Sequence, residues 1–141
     1  MYGKPRLIVP ESAEAMESKY LGKKISEPVS ELDTFEAPEG VSLVTMRSDE
    51  VTSSCPITGQ PDFYVVSIQY EPARLCIESK SLKLYLWGFR DKAMFAEKMT
   101  AEICDRVVAD VSPKSCRVVL EQKARGGITI ESVAVYPRST A

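Results

Sequence analysis

The chain has 141 residues, 44% of them apolar and 27% charged, which is the composition of one soluble globular domain with a core of its own. A formal net charge of -2 and a pI near 5.3 argue against a surface built to grip phosphate backbones, so no nucleic-acid partner is expected. No run approaches the ~18 apolar residues of a membrane span and the N-terminus lacks the apolar run of a secretory signal, so no membrane partner is expected and the cytoplasm is the expected compartment.

Residues 1–40 carry Pro5, Pro10, Pro28 and Pro38 and only short apolar clusters such as Leu7-Ile8-Val9, which predicts an N-terminal extension. Residues 41–141 form the expected single catalytic domain. Val41–Met46 reads as a strand, and so does Phe63–Tyr70, where Tyr64, Val66, Ile68 and Tyr70 recur at the period of two of a half-buried strand. After Glu71-Pro72 the chain runs briefly extended through Leu75–Ile77 and enters a helix near Ser79 that stops at Gly88. A second helix is predicted from Asp91, a good N-cap type, to about Val111, with Phe95, Met99, Ile103, Val107 and Val111 as its buried stripe and Pro113 ending it. Two further strands, Ser115–Gln122 and Ile128–Tyr136, flank a hairpin turn at Gly126-Gly127. The predicted class is α+β, a four-stranded antiparallel sheet with two helices on one face, and its open edges predict an oligomer.

Four cysteines without a CxxC pair, and no histidine at all, leave no zinc spacing, so no metal site is expected. Cys76, Cys104 and Cys116 sit in apolar patterns and read as small buried hydrophobes. Cys55 lies instead in a polar loop, Ser54-Cys55-Pro56-Ile57-Thr58-Gly59-Gln60-Pro61-Asp62. A loop thiol is an accessible nucleophile, with an unperturbed pKa near ~8.5 that makes the thiolate available at neutral pH. Two prolines and Gly59 can fold this loop so that Asp62 returns to the sulfur and donates a proton to an atom that gains charge during attack. Taken as isolated residues, an inert Cys55 and an Asp62 that merely caps a turn is the favoured reading, and the motif as a whole reverses it.

The second motif is Glu78-Ser79-Lys80-Ser81-Leu82-Lys83-Leu84-Tyr85. Glu78 is well placed as a carboxylate at a helix N-terminus, or as a bidentate acceptor for the N–H groups of a purine-like ring, with the Ser79 N–H beside it. Lys80 and Lys83 share one side of the helix, as a solvated face or a phosphate grip. Glu97 and Arg125 read by default as a surface carboxylate and an exposed hairpin arginine, and Met94, Phe95 and Met99 as core.

Together with Phe95-Ala96-Glu97 and Arg125-Gly126-Gly127, these motifs closely resemble the short, single-module nitrile reductases of queuosine tRNA-modification biosynthesis, the QueF family, over roughly Val41 to Tyr136. The resemblance implies a tunnelling fold whose sheets join into a barrel, a decamer of two stacked pentamers, and active sites at subunit interfaces. It implies reduction of 7-cyano-7-deazaguanine (preQ0) to 7-aminomethyl-7-deazaguanine (preQ1) by two NADPH, which come and go as cosubstrate. Cys55 would form a covalent thioimide and Asp62 would protonate the nitrile nitrogen. Glu78 and Glu97 would hold the base, with Ile77 and Ser79 helping through the backbone, and Lys80, Lys83 and Arg125 would meet the cofactor phosphates. The family motif is Phe-His-Glu where this chain has Ala96, which implies thioimide formation with slow reduction. Two rival readings are an amidine-forming relative, in which ammonia rather than hydride completes the reaction on a tRNA-borne base, and an inactive binding module of the same fold. The lysine-bearing motif and the acidic pI favour the reductase.

Overall fold

Tyr64, Val66, Ile68 and Tyr70 alternate with more exposed residues and are buried to 1% or less, so one face of their strand is the floor of the core. In the computed structural model, which describes residues 27–138, this strand is one of the two inner strands of a four-stranded antiparallel sheet. The elements in chain order are β1 (Thr34–Glu36), β2 (Val44–Ser54), β3 (Pro61–Glu71), β4 (Leu75–Ile77), α1 (Ser79–Trp87), a 3-10 turn (Gly88–Asp91), α2 (Ala96–Val111), β5 (Ser115–Arg125) and β6 (Ile128–Tyr136). The sheet order is β2-β3-β5-β6, and the α+β class is as expected.

The helix α2 lays Met99, Ile103, Val107 and Val111 on β5 and β6, all four within 1% of complete burial. It ends where Ser112 turns left-handed at φ 50°, its N–H bonding the Val108 carbonyl at 3.0 Å, with Pro113 following. The helix α1 starts on Glu78, whose two carboxylate oxygens accept the N–H groups of Ser81 and Lys80 at 2.8 and 2.9 Å.

Several boundaries differ from the sequence expectation, each for a stated reason. The second strand extends to Ser54, because a bulge between Ser48 and Val51 lets pairing resume with β3. Helix α2 begins at Ala96 rather than after Asp91, because Gly88–Asp91 closes a 3-10 turn and Lys92 is extended. Phe95, expected in the core, is the N-cap and is 57% exposed. From the extension, Leu32 and Asp33 are buried and β1 pairs antiparallel with β4, so residues 32–36 are part of the folded unit. The Leu7-Ile8-Val9 cluster and most of the extension lie outside the described residues.

Candidate active site

The turn after β2 is closed by two backbone bonds: Cys55 N–H to the Gln60 carbonyl and Gly59 N–H to the Cys55 carbonyl, both 2.8 Å. Gly59, at φ 74°, makes this reversal possible. Cys55 is partly exposed, whereas Cys76, Cys104 and Cys116 are buried, as their sequence context predicts. The Cys55 thiol is lowered to about 7, mainly because the Thr58 hydroxyl donates to the sulfur, then because the N–H groups of Thr58 and Ile57 point at it, with a smaller contribution from Arg125. At neutral pH a large share of Cys55 is therefore thiolate.

Asp62, the second residue of β3, is 4% exposed. Its Oδ1 accepts from Arg125 Nη1, and Arg125 Nη2 donates to the Gln60 side-chain oxygen at 3.2 Å. Arg125 is the last residue of β5, beside the Gly126-Gly127 turn. The sulfur, the carboxylate and the guanidinium therefore form one cluster, and Arg125 faces Asp62 rather than standing free on the hairpin.

Residues 93–97 belong to the same end of the sheet. The Ser54 N–H bonds the Lys92 carbonyl at 3.0 Å, and the Ser54 carbonyl accepts from Met94 at 3.3 Å. Ala96 is buried at the first position of α2, and Glu97 next to it is exposed.

Ile77, Glu78 and Ser79 are not brought to this cluster. The Ile77 N–H donates to Tyr70 Oη at 2.7 Å, which ties Glu78 to the opposite end of β3. That strand has 11 residues and spans about 33 Å at roughly 3.3 Å per residue. Cys55 and Glu78 of one chain are therefore held toward different ends of the sheet. Near the Glu78 end, a cavity of about 640 Å³ separates β2 from α1, and Arg47, Ser48, Ser79, Lys83 and Trp87 are among its lining residues. Two cations and an indole suit phosphates and a planar ring, with the Glu50 carboxylate offsetting one of the two charges, and Arg47 and Trp87 carry no sequence signal that would have singled them out. Lys80, on the same helix, is not part of that lining.

A family model described as QueF-like protein matches residues 61–141. The NADPH-dependent 7-cyano-7-deazaguanine reductase of Anaeromyxobacter sp. (strain Fw109-5) is 44% identical over 105 residues, covering 73% of this chain and 86% of the relative. The protein of the same name from Syntrophus aciditrophicus (strain SB) is 43% identical over 120 residues, covering 84% of this chain and 85% of the relative. Among solved structures, the crystal structure of the archaeosine synthase QueF-Like in the apo form matches with a TM-score of 0.64 at 25% identity, over 71% of this chain and 95% of that one.

Because the Thr58 hydroxyl is the first cause of the lowered thiol, Thr58→Val is expected to move the midpoint of Cys55 alkylation from about 7 toward the ordinary thiol range. Iodoacetamide rates against pH, followed by peptide mass spectrometry, measure it. An unmoved midpoint rejects this account of the turn.

Proposed function

The chain belongs to the QueF-like family, and from that premise we propose that it reduces preQ0 to preQ1 with NADPH as cosubstrate. The observation that carries the reading is the Cys55 turn, a thiol lowered to about 7 beside the buried carboxyl of Asp62. The sulfur attacks the nitrile carbon, one carbon–nitrogen π bond opens, and the proton given up by the Cys55 thiol reaches the nitrogen through Asp62 to give a thioimide. NADPH supplies one hydride to each of two successive reductions. In the first the former nitrile carbon becomes tetrahedral. The carbon–sulfur bond then breaks, returning the thiolate and leaving an imine, whose reduction and protonation complete the four-electron change.

Glu78 and Glu97 are assigned to the deazaguanine edge, with the backbone of Ile77 and Ser79 in support. Lys83 and the cavity it lines fit the phosphates of the cofactor, and Lys80, about one turn away on the same helix and outside that lining, is assigned to the same phosphates. Cys55 and Glu78 lie at opposite ends of β3, so two copies of the chain complete each site in a homo-oligomer. The edges of β2 and β6, unpaired among the described residues, and the exposed Phe63, Val133 and Val135 support such an assembly, and a decamer of two pentamers is the form proposed. Likeness to the archaeosine synthase keeps the amidine-forming reaction as the second reading, since it shares the thioimide and differs in what attacks next.

Three measurements test these assignments. Absorbance at the NADPH band should fall only when preQ0 is added, and Cys55→Ala should abolish both that change and the covalent adduct seen by mass spectrometry. An adduct without NADPH oxidation selects the amidine former, and no adduct with intact protein rejects both. Mixing dissociated Cys55→Ala and Glu78→Ala chains should restore about a quarter of the activity, the share of interfaces that combine one intact residue from each parent. No recovery rejects the shared site. Ala96→His should raise turnover by at least ~10²-fold if an imidazole moves a proton there, while leaving adduct formation unchanged. Equal turnover rejects that role for position 96.

A further inference from the structure

Arg125 does something in this structure that phosphate binding does not explain. It lies 63 positions from Asp62 in sequence, yet its two terminal nitrogens divide between the Asp62 carboxylate and the Gln60 side chain. Those two acceptors flank Pro61, at the junction where the Cys55 turn enters β3. The turn itself is held by the Cys55 to Gln60 backbone bond, so the guanidinium grips the residue that closes it. Asp62 is almost wholly buried, while the arginine side chain is 34% exposed on its outer side. Among the described residues, Tyr64 feels the charges of Asp62, Cys55 and Arg125, and its hydroxyl is already bonded to Ser53 Oγ at 2.7 Å. Arg125 is thus the one cation among them.

We propose that Arg125 is a positioning residue for the sulfur chemistry: by forking onto Asp62 and Gln60 it fixes the Cys55 turn and holds the Asp62 carboxyl beside the sulfur. A planar fork serves two acceptors at once, and a lysine ammonium serves one of them less well. Glycine at 126 and 127, with φ 61° and 79°, turns the hairpin immediately after Arg125 and fixes the direction from which its side chain arrives. The pairing also has a chemical consequence. The proton that Asp62 passes to the nitrile nitrogen is then the one that the Cys55 thiol gives up as the sulfur attacks.

The test uses full-length Arg125→Gln and Arg125→Lys proteins, with thermal melting as the folding control. The first readout needs neither substrate nor cofactor: the alkylation pH profile of Cys55 should move upward in Arg125→Gln and return partway in Arg125→Lys, and hydrogen exchange at the Cys55 and Gly59 amides should quicken. The second is the rate of adduct formation with preQ0, in the absence of NADPH. Arg125→Gln should slow it about tenfold in the parent protein but less than about twofold in an Asp62→Asn background, because both changes remove one coupled unit. Multiplicative losses, or an unchanged alkylation profile and unchanged exchange, overturn the proposal. So does a variant that only raises the KM for NADPH, which would make Arg125 a phosphate ligand. If the parent protein forms no adduct, the functional reading fails, while alkylation and exchange still decide the place of Arg125.

Discussion

Hydrogen bonds run from β3 to β2 on one side and to β5 on the other, and this double pairing sets the location of every reactive group described above. Pairing with β2 places the Cys55 turn against Asp62. Pairing with β5 carries Arg125 to the same end, because Tyr64 sits opposite Gln122 and the β5 chain continues past it toward Pro61. The opposite end of the strand, through Tyr70 and its bond to Ile77, fixes the start of α1. A register slip of one residue would turn Asp62 from the buried face to the exposed one and dissolve the cluster.

Capping α1 and the proposed contact with a heterocycle would make a dual demand on Glu78, which lone-pair arithmetic resolves. A carboxylate has about four acceptor sites, and capping α1 consumes only one on each oxygen. The same side chain can therefore hold the helix start and still accept N–H groups from a heterocycle. The cap moreover orients both oxygens before any ligand arrives, so little side-chain entropy remains to be lost on binding. Ser81 reinforces the arrangement by donating to the Glu78 carbonyl at 2.7 Å and accepting from the Asp33 N–H at 2.8 Å.

What the sequence made legible was local. Period-two patterning located β3, the apolar stripe located α2, and the two hairpin glycines located the β5–β6 turn. Glu78 at the helix start was readable because capping depends on a few adjacent residues. What it hid was nonlocal or context-bound. The short β1 forms only because β4 offers it a partner, and three residues of Thr-Phe-Glu carry no strong strand signal of their own. The pairing of Arg125 with Asp62 joins two neighbouring strands, β3 and β5, that lie 63 positions apart at this point, which no window of sequence encloses. Cys55 could be singled out as reactive from its polar neighbours, but the contribution of the Thr58 hydroxyl depends on how the turn closes. The separation of Cys55 from Glu78 was equally invisible, since their closeness in sequence suggests the opposite of what an extended strand imposes.

Among the described residues the sheet ends on β2 and β6, and that has a geometric consequence for growth. If β2 of one copy joins β6 of the next, every addition consumes one margin of the sheet and presents a fresh one, so recruitment has no internal stopping point. It ends only when the rotation from copy to copy adds up to a full circle. The size of the ring is then governed by strand tilt and twist, and a substitution far from any reacting atom can alter the number of members by changing an angle of a few degrees.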